Sequence, residues 1–134
     1  MALWNDSMLV GVTKIDDQHK KLIAAIDDLL QACAKGEGQA AIGKTLDFVL
    51  SYTKEHFADE EALQAQHAYP GLAAHKQLHS LFISSIGSIK TQFEQKGADS
   101  GLIATINKML VDWLVKHINT EDKKYAAHIK SKGG

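Results

Sequence analysis

Residues 72–96 read LAAHKQLHSLFISSIGSIKTQFEQK, and Gly97 follows them. Leu72, His75, His79, Phe82, Ile86, Ile89 and Phe93 are separated by steps that alternate between three and four residues. That alternation is the seam of a bundle helix, because residues three and four apart stack on one helical face. The stretch predicts a helix over 72–96 closed by Gly97. Two histidines occupy seam positions that an apolar core would fill with leucine.

Three more stripes flank this one. Upstream, a stretch ending before the turn signal Tyr69-Pro70-Gly71 carries Ile42, Leu46, Val49, Thr53, His56, Glu60 and Leu63, and is expected to run from just after Gly38 to about His67. Before the Gly36-Glu37-Gly38 break, Leu22, Ile26, Leu29 and Cys33 form a third stripe, with Asp16 as the expected N-cap and Gly36 just past the end. Extending that line backwards by three residues reaches His19. Downstream, from Gly101 or Leu102, the fourth stripe reads Ile103, Ile106, Leu110, Trp113 and His117. The connections are short and rich in glycine, so consecutive helices should run antiparallel. The expected fold is all-α, an up-down-up-down four-helix bundle. It divides into an extended N-terminal arm over 1–15 (Leu3, Trp4, Met8, Val10, Val12), a bundle over 16–122 and a solvated tail over 123–134.

Composition narrows the function classes. The 134 residues hold one proline, which leaves four stripes free to run unbroken, and suit a single domain. All 15 basic residues are lysines, set against 16 acidic ones for a net charge of −1, so neither arginine forks nor a positive field favour nucleic acid. The one cysteine, Cys33, forms no internal disulfide and is expected in the core. With no apolar run near the roughly 20 residues of a membrane span, and Asn5 and Asp6 where a signal peptide needs apolar residues, the expected compartment is the cytoplasm.

Seven histidines stand out in that count. Antiparallel packing brings the start of the first helix (His19), the end of the second (His56, Glu60), the start of the third (His75, His79) and the end of the fourth (His117) to one end of the bundle. Asp122 follows His117 by five residues, one more than keeps it on the same face, so the helix must end, bulge or tighten there. A lone inward histidine is ordinarily a hydrogen-bonded core residue, and a His-x3-His pair is common on surfaces. Burying five imidazoles and two carboxylates together without partners costs several kcal/mol per group, about what a metal would remove. Seven ligands suit two ions. Zinc favours four-coordinate sites, often with cysteine, and calcium or magnesium all-oxygen ones. Imidazole with carboxylate points to iron ahead of manganese or copper. With histidines split three and two, two bridging carboxylates and a solvent-derived bridge, one ion has six ligands and the other five. One coordination position stays open.

The segments Gly11-Val12, Ile15-Asp16 and Gln18-His19, then His56-Phe57 and Glu60-Glu61, then Tyr69-Pro70 with His75 and His79, then Trp113-Leu114, His117-Ile118 and Asp122 together resemble the hemerythrins, more closely the single-domain bacterial type. The resemblance implies that His75, His79 and His117 ligate one iron, His19 and His56 the other, and that Glu60 and Asp122 bridge them. It implies reversible binding of dioxygen as a peroxide-level ligand at the open position, in a pocket lined by Trp113, Leu114 and Ile118 with Phe57 nearby. A carrier or store is the leading reading, and a non-catalytic one, because no spare inward acid or histidine appears on the pocket stripe. The alternatives are a redox enzyme acting on peroxide or nitric oxide, and an oxygen or iron sensor working with a separate partner. Gln64 departs from the bacterial pattern, which often has methionine there. His67, before the turn, and His128, in the tail with Lys123, Lys124, Lys130 and Lys132, match no ligand position and are expected to be solvent-exposed.

Overall fold

A computed structural model describes Trp4 and residues 6–131; the expectations for Leu3, Asn5 and Lys132 fall outside the described residues. Helix α1 spans Thr13–Ala34, α2 Gln39–Gln66 and α3 Leu72–Lys96. A fourth helical run over 100–131 is built from α4 (Ser100–Ile106), α5 (Trp113–His117) and α6 (Lys123–Ser131), joined by π-helical segments at Asn107–Asp112 and Ile118–Asp122. Each helix packs on its sequence neighbour and the fourth run returns to α1, which closes a four-helix bundle.

The α3 boundaries fall where the seam and Gly97 placed them. Gly97 has φ +72° and ψ −167°, a conformation that a side chain resists, and its N–H bonds back to Phe93. At the end of α1, Gly36 (φ +68°) donates to the Cys33 carbonyl and Glu37 to that of Ala32, the paired bonds of a Schellman stop. The other end of α1 differs from the sequence expectation. Asp16 lies inside the first turn, with Val12 as the flanking residue, so the arm stops at Val12 rather than residue 15. Its carboxylate reaches back to accept the N–H groups of Val10 (2.7 Å) and Gly11 (3.1 Å). An acid that holds the entering chain from inside the helix carries the same sequence signature as an N-cap. The arm is also not wholly extended, since Asp6–Met8 form a 3-10 turn packed on the second π segment.

Two faces shift by one position. On α2 the buried line ends on Phe57, Glu60 and Gln64, with Leu63 only half-buried. On the fourth run it follows Leu102, Ile106, Leu110 and Leu114, so Ile103 and Trp113 flank the core. The largest correction concerns the tail: residues 123–131 are helix α6, and Tyr125, Ala126 and Ile129 are buried. His67 and His128 are accordingly half-buried rather than exposed, with His128 Nε2 donating to the His67 carbonyl at 3.0 Å and His67 Nδ1 donating to that of Leu63. Cys33 is buried and free, as expected. Leu22, Ile26, Leu29, Ile42, Leu46, Val49, Phe82, Ile86, Ile89, Ile106 and Leu110 are essentially inaccessible. Each such side chain contributes roughly 1.5–3 kcal/mol on leaving water, so the apolar length of the bundle stabilises an end that is polar. Among the described residues, no helix is long and apolar enough to cross a membrane.

Candidate metal centre

At that polar end His19, His56, Glu60, His75, His79, His117 and Asp122 are all at most 4% exposed. Their ring Nε2 atoms turn toward the two carboxylates. Glu60 Oε1 lies 3.1 Å from His79, 3.6 Å from His56 and 3.9 Å from His75. Glu60 Oε2 lies 3.3 Å from His19. Asp122 Oδ1 lies 3.1 Å from His75 and 3.2 Å from His117, while its Oδ2 lies 3.0 Å from His19. Ligating atoms within 4.8 Å of one another fall into two sets: His75, His79 and His117 with Glu60 and Asp122, and His19 and His56 with Glu60. Glu60 belongs to both sets, and Asp122 reaches across to His19 with its second oxygen.

The five-residue step between His117 and Asp122 is accommodated by the π segment Ile118–Asp122. A π turn closes over five residues rather than four, so residues five apart stand one above the other. Of the three outcomes left open by the spacing, the helix bulges. Beside it the Lys116 carbonyl accepts the Thr120 hydroxyl at 2.7 Å.

The chemistry of the cluster calls for cations. His75 Nε2 and His117 Nε2 approach to 3.1 Å, so the two nitrogens either share a proton or turn both lone pairs to one cation. His19 Nε2, His56 Nε2, His79 Nε2, Glu60 Oε1 and both Asp122 oxygens are buried without a well-directed hydrogen bond. Burial and Asp122 push the Glu60 carboxyl up, but His56, His19 and His79 outweigh them and hold it down at about 2. Burial likewise opposes ionisation of Asp122, and its contacts with His117, His19 and His75 keep it well below the usual carboxylate range. Burial lowers His56 to about 4, whereas His19 is drawn up to about 9 because Asp122 and Glu60 overcome its desolvation. Two ionised carboxylates and five imidazole nitrogens in one dry space fit a pair of borderline divalent ions. The donor set therefore fits two metal ions.

A second layer fixes this one. His79 Nδ1 donates to Glu61 at 2.8 Å, and His56 Nδ1 to Gln18 Oε1 at 2.8 Å. Gln18 Nε2 donates in turn to Asp59 at 2.8 Å. The Tyr125 hydroxyl, fully buried, donates to Glu60 Oε2 at 2.8 Å. Burial and the adjacent carboxylates Glu60 and Asp122 push that phenol far above its ordinary range, so it remains a donor. Phe57 stacks on His79 with centroids 3.6 Å apart and planes 2° from parallel, and Trp113 on His117 at 4.5 Å and 12°. Both rings thus lie against the three-histidine set. Trp113 also borders a surface cavity of about 230 Å³ with Leu78, Lys116, His117, Thr120 and Glu121. Leu114 and Ile118 are buried, and Leu114 joins Ile23, Ile26, Val111 and Val115 around an apolar void of about 10 Å³.

Sequence reasoning assigned no role to Gln18, Asp59 or Glu61, and placed Tyr125 in the tail. The signal for Tyr125 was available: once the five-residue step is allowed, Asp122, Tyr125 and Ile129 resume steps of three and four. Gln64 is fully buried, and among the described residues neither end of its amide finds a hydrogen-bond partner.

Residues 10–129 match the family model described as the hemerythrin HHE cation binding domain. A bacteriohemerythrin of Stenotrophomonas maltophilia is 35% identical over 131 residues, covering 98% of this chain and 83% of the relative. One from Pseudomonas aeruginosa is 34% identical over 128 residues, covering 96% and 81% respectively. A myohemerythrin of Sipunculus nudus is 32% identical over 123 residues, covering 92% of this chain and 89% of the relative.

Proposed function

The chain belongs to the hemerythrin family, and from that premise we propose that it binds dioxygen reversibly at two iron ions held by His19, His56, Glu60, His75, His79, His117 and Asp122. The observation that supports this most directly is the sharing of Glu60 between a three-histidine and a two-histidine set of buried, unpartnered donor atoms. His75, His79 and His117 would hold one iron and His19 and His56 the other, with Glu60 and Asp122 shared between the two sets. Bound there, iron would supply the electrons and the site at which dioxygen binds.

The protein's own contribution is to hold donor atoms and exclude water. Leu114 and Ile118 provide the apolar wall of the oxygen pocket, which keeps external proton donors away. Phe57 and Trp113 brace His79 and His117 against rotation. A carrier or store suits the surroundings better than a turnover enzyme, because Asp59, Glu61, Asp16 and the Tyr125 phenol are each committed to another group. Asp59 and Glu61 hold side chains that contact histidines or are themselves ligand contacts, Asp16 holds the arm, and Tyr125 holds Glu60. Neutral imidazole ligands also favour binding over oxidation relative to carboxylate-rich di-iron sites.

Paired substitutions test the ligand set. His79→Ala should cost the chain at least one of its two irons, with loss of the oxygen-dependent absorption. His67→Ala, which removes only the bond to the Leu63 carbonyl, should leave that absorption unchanged. Equal damage from both would overturn the assignment.

A further inference from the structure

One imidazole in each set has a defined Nδ1 partner, and the two partners differ in chemistry. In the three-histidine set, His79 donates to the carboxylate of Glu61. In the two-histidine set, His56 Nδ1 meets an amide oxygen, Gln18 Oε1 at 2.8 Å, and the same amide turns its nitrogen to Asp59 Oδ2 at 2.8 Å. Asp59 stands at the edge of the bundle, its side chain 35% exposed, with Lys14 Nζ 3.8 Å away.

Hydrogen-bond chemistry gives this row a direction. An amide offers an acceptor at one end and a donor at the other, and could face His56 with either. A carboxylate only accepts. Asp59 therefore takes the nitrogen end of Gln18, the oxygen end is left for His56, and His56 must carry its hydrogen on Nδ1. The lone pair is then on Nε2, the atom that faces Glu60. We infer that Asp59 is a positioning residue for the two-histidine half of the centre, setting through Gln18 the tautomer in which His56 can bind a metal. The inference rests on the reading of His56 as a ligand, and adds a residue two hydrogen bonds removed from the metal.

The ordinary view of Asp59 is a surface ion pair with Lys14, adding little to stability and indifferent to the metal. The two views part at a pair of substitutions. Asp59→Asn removes the charge but keeps an acceptor for Gln18 Nε2, so the orientation survives. Asp59→Lys offers only donors: Gln18 must turn its oxygen outward and present its nitrogen to His56, which then accepts on Nδ1 and carries its hydrogen on Nε2.

The experiment uses the full chain, uniformly ¹⁵N-labelled, in two states. In the metal-free protein, two-bond proton–nitrogen correlation spectra report the tautomer of His56. The wild type and Asp59→Asn should show the hydrogen on Nδ1, and Asp59→Lys should show it on Nε2. On anaerobic titration with ferrous iron, Asp59→Lys should weaken one of the two iron sites by about 10–100-fold, and Asp59→Asn should not. Thermal midpoints of the three metal-free proteins should agree within a few degrees, as for surface substitutions. One tautomer in all three proteins, or iron binding that weakens in step with charge through Asn to Lys, would overturn the inference. A wild-type chain that takes up fewer than two irons while the tautomers respond as stated would instead overturn the di-iron reading and leave the positioning role standing.

Discussion

Tyr125→Phe isolates one hydrogen bond to the shared carboxylate. The phenol ring is inaccessible, lies edge-on to His75 with centroids 5.6 Å apart and to Tyr69 at 6.3 Å, and both contacts survive the substitution. What disappears is the donation to Glu60 Oε2 at 2.8 Å, made to an ionised acceptor in a dry setting. Hydrogen bonds to charged groups contribute about 1.5–3 kcal/mol. Unfolding entropy of about 2.1 cal/mol/K per residue gives about 0.28 kcal/mol/K for this chain length, so the melting midpoint of the metal-free protein should fall by about 5–11 °C. Iron-loaded protein should lose less, because metal then takes over the charge of Glu60. The assay is thermal unfolding followed by circular dichroism, with and without ferrous iron under argon. A metal-free midpoint within about 1 °C of the wild type would refute the reasoning, since it would mean that the bond makes no net contribution. So would a larger drop in the loaded protein than in the metal-free one.

Gln64→Met should raise the metal-free stability by about 1–3 kcal/mol, because it replaces two buried, unpartnered amide atoms with an apolar side chain of similar volume. A fall in the melting midpoint would show that the amide has a partner of its own. The metal-free protein should also be most stable near pH 6.5. On the alkaline side, desolvation of His19 is outweighed by Asp122 and Glu60, so its folded value of about 9 exceeds the ordinary 6.5; its contribution is complete below 6.5 and is lost as pH rises through 9. On the acid side, burial lowers His56 from 6.5 to about 4, which removes stability as pH falls through that window. Glu60, held at about 2 against an ordinary 4.5, adds a loss between those values. Melting midpoints across pH check both limbs, and iron should abolish the alkaline one because the imidazole that binds metal is already unprotonated.

The bundle and the location of the centre were legible because they follow from spacing alone. Side chains on four stripes can share one end only if the helices alternate in direction, and the five-residue step from His117 to Asp122 required the helix to end, bulge or tighten, of which the π segment Ile118–Asp122 is the bulge. What escaped had the same residue types doing different geometric work. Asp16 has the chemistry of an N-cap, but it acts from inside the helix on Val10 and Gly11. Ile103 and Trp113 are as apolar as Leu102 and Leu114, and the choice between adjacent faces is made by packing against α1 and α3, which no local pattern encodes. Residues 123–131 looked like a lysine-bearing tail because Lys123, Lys124 and Lys130 mask three inward positions at Tyr125, Ala126 and Ile129. Gln18 and Asp59 are 41 residues apart and meet only once α1 lies along α2. Their part in the centre could not be read from either segment alone.

Anaerobic reconstitution with ferrous iron, followed by metal analysis per chain and optical spectra through repeated cycles of oxygen and argon, decides whether this chain carries oxygen on two irons. Two irons per chain are expected, with an absorption band that appears with oxygen and disappears under argon, cycle after cycle. Zinc alone, iron well below two per chain, or a spectrum that changes once and does not return would contradict it.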